Sequence, residues 1–283
     1  MAEKVKKEKK PVAKRFRSPL FLTMSTLIAA IILVAATFVV LYILGFRYLR
    51  KDFTDRSYIK FVGRTSDGVT PVSGKLWYSD GRTGTIDGKT GVITYSDGST
   101  YKGGLSELQW SGKGTKTFAN GDVYEGDFSD DKPNGTGKYT FAGGDVYEGA
   151  FLNGKKDGFG KYTRADGETY EGYFTSDMKN GQGTYTWSDG SYYTGSYVND
   201  VKQGRGTYVF ANGDVYEGDF VNDTRTGSGT YRFATGDTYV GAFENNYMNG
   251  WGIYTWNNGR IYEGLFEYGV IVRTVDEPEI PEE

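Results

Sequence analysis

From Tyr101 onward one triplet, Tyr-x-Gly, returns every 23 residues: copies begin at Tyr101, Tyr124, Tyr147, Tyr170, Tyr193, Tyr216, Tyr239 and Tyr262. Gly-x-Gly pairs keep the same period from Gly112 to Gly250, and single turn glycines keep it from Gly98 to Gly259. Eight anchors without an insertion or deletion define a repeat array. An active site is usually built once. A phrase such as GDVYEGDF, which begins at Gly121 and again at Gly213, points to architecture first.

One copy reads as two strands. In VYEGDF, Tyr124, Gly126 and Phe128 share one face, while Val123, Glu125 and Asp127 share the other. A loop at Asn134 and Gly135 is expected next. GKYTF then alternates again, with Gly137, Tyr139 and Phe141 on the ring-bearing face. The equivalent structural positions in other copies include Tyr147, Gly149, Tyr170, Gly172, Tyr216 and Gly218. Glycine between rings leaves room for a tyrosine lying across the sheet. A lone hairpin cannot bury such a face, so stability must come from stacking each copy on the next. Sixteen strands at about 4.8 Å each give a body roughly 75 Å long. The fold expected is all-β: an elongated, twisted antiparallel sheet of stacked β-hairpin repeats, curled to shelter its rings. GKLWYSDG from Gly74 echoes GVITYSDG from Gly91 after only 17 residues, so 74–90 reads as a degenerate first repeat and 91–275 as the array.

YEGDFSDDKPNGTGKYTFAGGD, from Tyr124, resembles the MORN repeat (membrane occupation and recognition nexus). The resemblance covers Gly91 to about Tyr268. It implies a row of hairpins serving as a scaffold or binding surface, with links to membranes, lipids, protein partners and oligomerisation. It carries over no catalytic residue. This chain departs from the pattern at Thr194 and Val240, where Glu is usual, and at Lys116, in the place of Tyr139. SELQWSGKG in the first full copy lacks Asn-Gly. Choline-binding wall repeats share phrases such as KLWYSDG, but they have a period near 20 and a WYY cage.

The segment before the array is of another kind. No charged residue occurs from Ser18 to Phe46, a stretch longer than the roughly 20 residues a membrane-crossing helix requires. A cleaved signal peptide has a shorter apolar run, so 18–46 reads as a transmembrane signal anchor. Residues 1–17 hold eight of the 33 Lys/Arg and two of the 36 Asp/Glu, leaving 25 bases and 34 acids for the acidic body. Eight bases before the segment, among them Lys14, Arg15 and Arg17, outnumber Arg47, Arg50, Lys51, Arg56 and Lys60 after it. That bias predicts a cytoplasmic arm and an array on the outer side of the cell membrane. Residues 47–73 read as a stalk, Gly269–Val275 as a closing strand and 276–283 as an acidic disordered tail.

The chain contains neither cysteine nor histidine. That removes thiol chemistry, histidine bases and their metal sites. The acids Asp122, Glu125, Asp127, Asp145, Glu148, Glu171, Asp214, Glu217 and Asp219 recur as turn formers and a solvated strand face, with no calcium-loop spacing. A net-negative body without a basic stripe disfavours nucleic acid. No enzyme activity, metal or cofactor is expected. Specific function is expected where copies disagree, at Trp110, Trp187, Trp251, Trp256, Tyr193, Thr194 and Val240, with the four tryptophans the most exposed rings. The function expected is a membrane-anchored scaffold for envelope proteins in bacterial wall synthesis or division, with self-association through the array ends. The alternatives are wall-polysaccharide binding in the aromatic groove or, with reversed topology, a lipid-associated cytoplasmic scaffold.

Overall fold

A computed structural model describes residues 19–272. The basic arm with Lys14, Arg15 and Arg17, and the acidic segment 276–283, lie outside the described residues. Helix α1 (Pro19–Ile43) is uncharged, and its Thr23–Ile43 stretch is long and apolar enough to cross a bilayer, with no part of it buried against the protein. It stops at Gly45, whose φ of 84° suits a glycine after a helix end.

Only Leu44 and Gly45 separate α1 from the sheet. The expected stalk is replaced by β1 (Phe46–Asp52), β2 (Tyr58–Thr65) and the start of β3 (Pro71–Tyr78). The carbonyl of Gly45 accepts the Thr65 amide at 2.9 Å, which ties the helix end to β2. Alternation accounts for these strands: Ile59, Phe61 and Leu76 are buried on the face that continues the array core. β4 (Thr83–Ile86) and β5 (Ile93–Tyr95) complete the irregular end.

The copies follow as β6 (Thr100–Ser106) and β7 (Gln109–Thr117), β8 (Val123–Ser129) and β9 (Lys132–Thr140), β10 (Val146–Leu152) and β11 (Lys155–Thr163). Next come β12 (Thr169–Thr175) and β13 (Met178–Thr186), β14 (Tyr192–Val198) and β15 (Val201–Val209), β16 (Val215–Val221) and β17 (Thr224–Arg232). The last are β18 (Thr238–Glu244) and β19 (Tyr247–Thr255), β20 (Ile261–Glu267) and the two-residue β21 (Val270–Ile271). Each strand pairs antiparallel with its neighbours in sequence. Among the described residues the result is one open antiparallel sheet of 21 strands rather than sixteen, an all-β array of hairpin repeats preceded by one apolar helix.

The hairpin turn differs from the expected one. Asp130 and Asp131 adopt φ of 51° and 63°, a two-residue turn with both residues left-handed, which Asn and Asp tolerate. Asn134 and Gly135 lie inside β9. There, Gly126 pairs with Gly137 and Phe128 with Pro133, so Asn134, Gly135 and Thr136 bulge opposite Asp127. Gly135 carries the bulge at φ 114°.

Tyr101, Tyr124, Tyr147, Tyr170, Tyr193, Tyr216 and Tyr239 are buried, each at 2% exposure or less. Each ring lies over a glycine pair, and each from Tyr124 onward stands edge-on to two rings: Tyr124 meets Phe128 at 4.9 Å in its own copy and Phe151 at 5.0 Å in the next. The same link runs from Tyr101–Phe128 to Tyr239–Phe266. Such pairs contribute about 0.5–1.5 kcal/mol each beyond their burial.

Candidate binding faces

The ring-bearing face is latched between copies by carboxylates. Asp122 accepts the Ala142 amide at 2.8 Å and the Tyr139 hydroxyl at 2.7 Å. Asp214 repeats this with Ala234 and Tyr231, and Asp237 with Asn257 and Tyr254. The Ala142 amide, ahead of the tyrosine, holds the Asp122 carboxyl below its ordinary range. These acids are therefore more than solvated turn formers: Asp122 and Asp214 are buried, with their oxygens occupied by amides and phenols. A second set sits in the hairpin turns, where Asp177, Asp200 and Asp223 accept the amides of Lys156, Lys179 and Lys202 in the preceding copy, each at 2.9 Å. On the opposite face Asp127 is bound by Lys113 at 2.8 Å, and Glu148 by Lys138 at 2.9 Å.

A second row of rings follows the first: Phe118, Tyr139, Phe141 and Tyr162, then Tyr185, Trp187, Tyr208, Phe210, Tyr231, Phe233, Tyr254 and Trp256. Arg164 interrupts it, occupying the position of Phe141 and pairing with Glu168 at 3.0 Å. Lys156, Lys179, Lys202 and Arg225 hold one position in four successive copies and stand over these rings, Lys156 4.8 Å from Tyr162 and Lys179 5.0 Å from Tyr185. Burial lowers the pKa of all three lysines.

Several residues expected at a ligand surface are packed instead. Tyr193 is fully buried with the other tyrosines of its row. Trp110 stacks on Tyr101 at 5.0 Å, meets Phe128 at 5.7 Å and donates its indole N–H to the Tyr95 hydroxyl at 2.7 Å. Beside it Lys116, at 4% exposure, donates to Ser99 Oγ at 2.8 Å. Its ammonium lies 4.2 Å from the Tyr95 ring, and burial lowers its pKa to about 8. Trp187 is half-buried between Tyr185 and Tyr208. Trp256 is half-buried beside Tyr254, with the Arg260 guanidinium 4.4 Å from its ring.

Thr194, Val240 and Trp251 occupy the other face of the sheet. Thr194 shares a hydrogen bond with Thr184 at 2.9 Å. Val240 and Trp251 come together: Val240 pairs with Ile253 across β18 and β19, and Trp251 with Leu265 across β19 and β20. With Ile261 they make an apolar group on this face, interrupted by Glu263 opposite Ile253, in which Trp251 is 60% exposed and Val240 50% exposed. Four copies earlier, Phe159 and Tyr173 form an equivalent cross-strand pair, 5.5 Å apart and both more than half exposed. Between these islands the same positions carry Gln182 and Ser196, Arg205 and Asp219, then Ser228 and Ala242. Sequence reading missed Phe159, Tyr173, Ile253 and Leu265. The available signal was the position twelve residues after each repeat tyrosine, polar in Thr136 but aromatic in Phe159 and Trp251.

The family model described as MORN repeat matches seven consecutive segments, 101–123, 124–146, 147–169, 170–192, 193–215, 216–238 and 239–259. No curated protein matches the chain. Among solved structures, the SAS-4 (dCPAP) TCP domain of Drosophila melanogaster, in complex with a proline-rich motif of Ana2 (dSTIL), is similar at 19% identity and a TM-score of 0.35, covering 54% of this chain and 83% of that one. The wild-type TCP10 domain of Danio rerio CPAP is similar at 14% identity and a TM-score of 0.35, covering 78% of this chain and all of that one.

Proposed function

The chain belongs to the MORN-repeat family, and from that premise we propose that it is a membrane-anchored scaffold whose sheet holds envelope proteins on the outer side of the membrane. α1 is the anchor and the basic arm sets its direction. Wall synthesis and division are the processes this reading points to, because both gather membrane proteins around a polymer outside the cytoplasm.

The observation that carries the protein-binding reading is the patch of Val240, Trp251, Ile253, Ile261 and Leu265. In the preceding copy the equivalents are Glu217, Ser228, Thr230, Thr238 and Ala242, none of them a large apolar group. Large apolar groups exposed side by side on a polar face mark a contact surface. A photo-crosslinking residue at Trp251, in intact cells, should give a defined protein adduct that Val240→Glu abolishes. Absence of any protein adduct at this position would count against the reading. Protease shaving tests the topology: an array left uncut on intact cells reverses it.

Glycan binding is favoured by a different observation, the exposed Phe159–Tyr173 pair beside Gln182, Thr184 and Thr194. Two rings next to hydroxyl and amide groups suit a sugar face. Co-sedimentation with purified wall material that survives Phe159→Ala with Tyr173→Ala would remove this reading. Loss on Trp187→Ala with Trp256→Ala would instead return it to the inner groove.

A further inference from the structure

The three strands that follow the helix carry a surface unlike the rest of the sheet. On the face away from the core, register places Phe46 beside Arg64, Tyr48 beside Val62, and Arg50 beside Lys60. The third strand adds Lys75 opposite Val62 and Trp77 opposite Lys60. Tyr48 is 60% exposed and Val62 45% exposed. Four cations thus share this face with one carboxylate, Asp52, which accepts from Arg50 at 2.8 Å. Among the described residues, no ion pair includes Lys60, Arg64 or Lys75.

The contrast with the repeats is informative. There, lysines on the same side of the sheet meet carboxylates across the strands, as Lys138 meets Glu148 and Lys113 meets Asp127. In β1–β3 the lysines lie over rings instead, Lys60 at 4.4 Å from Tyr58 and Lys75 at 5.6 Å from Trp77. The position of this face matters as much as its charge. Two residues join α1 to β1, and Thr65 is bonded back to Gly45, so β1 begins and β2 ends at the helix end. A helix that crosses the bilayer therefore delivers this face to the headgroup layer. Cations interleaved with Tyr, Trp and Val suit that layer, since rings settle among headgroups while Lys and Arg meet lipid phosphates.

We propose that the outer face of β1–β3 docks on anionic lipid headgroups of the leaflet from which α1 emerges, setting the array at a fixed inclination to the membrane instead of letting it swing. This rests on the reading of α1 as a membrane anchor. Lys75 and Trp77 belong to the degenerate first repeat, and the surface uses no residue of the matched repeats from Tyr101 onward. Its occupant is the leaflet, because the helix holds the face there and its unpaired charges are of the complementary sign.

The full chain, which has no native cysteine, receives one nitroxide label at Val62→Cys, or at Ser228→Cys as a control far along the sheet. It is reconstituted in bilayers of phosphatidylcholine alone or mixed with phosphatidylglycerol. With the anionic lipid, the label at 62 should lose access to a water-soluble paramagnetic relaxant, high salt should restore it, and position 228 should not respond. Lys60→Glu, Arg64→Glu and Lys75→Glu together should lower the docked-to-free ratio at least roughly a hundredfold, about 1 kcal/mol per cation near an anionic surface. Equal access at position 62 in both bilayers, with the protein still resistant to carbonate extraction, overturns the docking while leaving the anchor intact. Extraction by carbonate overturns the anchor and the docking together. The wild-type lipid and salt comparison decides the matter even if the triple variant misfolds.

Discussion

The ring of Tyr124 fills the space that a side chain on Gly137 would need: a Cβ there would stand 2.4 Å from the phenol oxygen. The hydroxyl donates to the Asp127 carbonyl at 3.0 Å, so the ring is pinned at both ends and cannot swing aside. The relationship recurs for Tyr147 and Gly160, Tyr170 and Gly183, and Tyr216 and Gly229.

Gly137→Ala should therefore destabilise the protein by about 1–3 kcal/mol, the ordinary cost of overpacking a filled core. Gly143, where an added Cβ would meet nothing within 4 Å, is the control, and Gly143→Ala should change stability by less than about 0.5 kcal/mol. Urea unfolding followed by tyrosine fluorescence compares them. Equal effects would mean that the ring can move.

Acid should loosen the joints between copies. The folded-state pKa values of Asp122, Asp145 and Asp214 are lowered, so their contribution is complete above the unfolded carboxylate pKa and is lost as pH falls through the folded values. Melting temperature should drop as pH falls below about 4. The triple change of these residues to Asn should lower stability at neutral pH and flatten that drop. A slope unchanged by the triple variant would place the acid sensitivity elsewhere.

Lys116 has the opposite sense. Its folded pKa of about 8 lies below the ordinary lysine value of 10.5, so between these values the unfolded chain binds more protons and stability rises with pH. Lys116→Met should raise the melting temperature at pH 7 and remove most of the rise between about pH 8 and pH 10. Thermal unfolding across this range measures both effects, and a lower melting temperature for the Met variant at pH 7 would show that the bond to Ser99 outweighs the burial of charge.

Arg164→Phe should join the two halves of the second ring row, linking Tyr162 to Tyr185. The gain expected is about 0.5–1.5 kcal/mol, less whatever the pair with Glu168 contributes. Denaturant midpoints read it directly. A destabilised variant would mean that Glu168, which pairs with Arg164 and accepts from the Tyr185 hydroxyl, matters more than ring continuity.

Much of this protein was legible as text. A strict period with no insertions left one solution, identical hairpins stacked in order, and the alternation around Tyr124, Gly126 and Phe128 named the buried face. The uncharged run identified the apolar helix just as directly. These features depend on residue spacing and side-chain size, which sequence states outright.

Tertiary structure decided what depends on neighbours distant along the chain. Residues 47–73 lack the repeat, yet β2 and β3 form because an existing sheet edge supplies backbone partners that a short alternating segment could not find alone. The turn fell on Asp130 and Asp131, because two left-handed residues match the twist of the flanking strands while Gly135 was needed for the bulge. Tryptophan exposure was decided between copies. Trp110 meets Phe128 of the following copy and is packed away, whereas Trp251 stands opposite Leu265 on the outward face and stays exposed. Identity alone could not separate them, because burial belongs to the pair of strands that meet and to the face on which they meet.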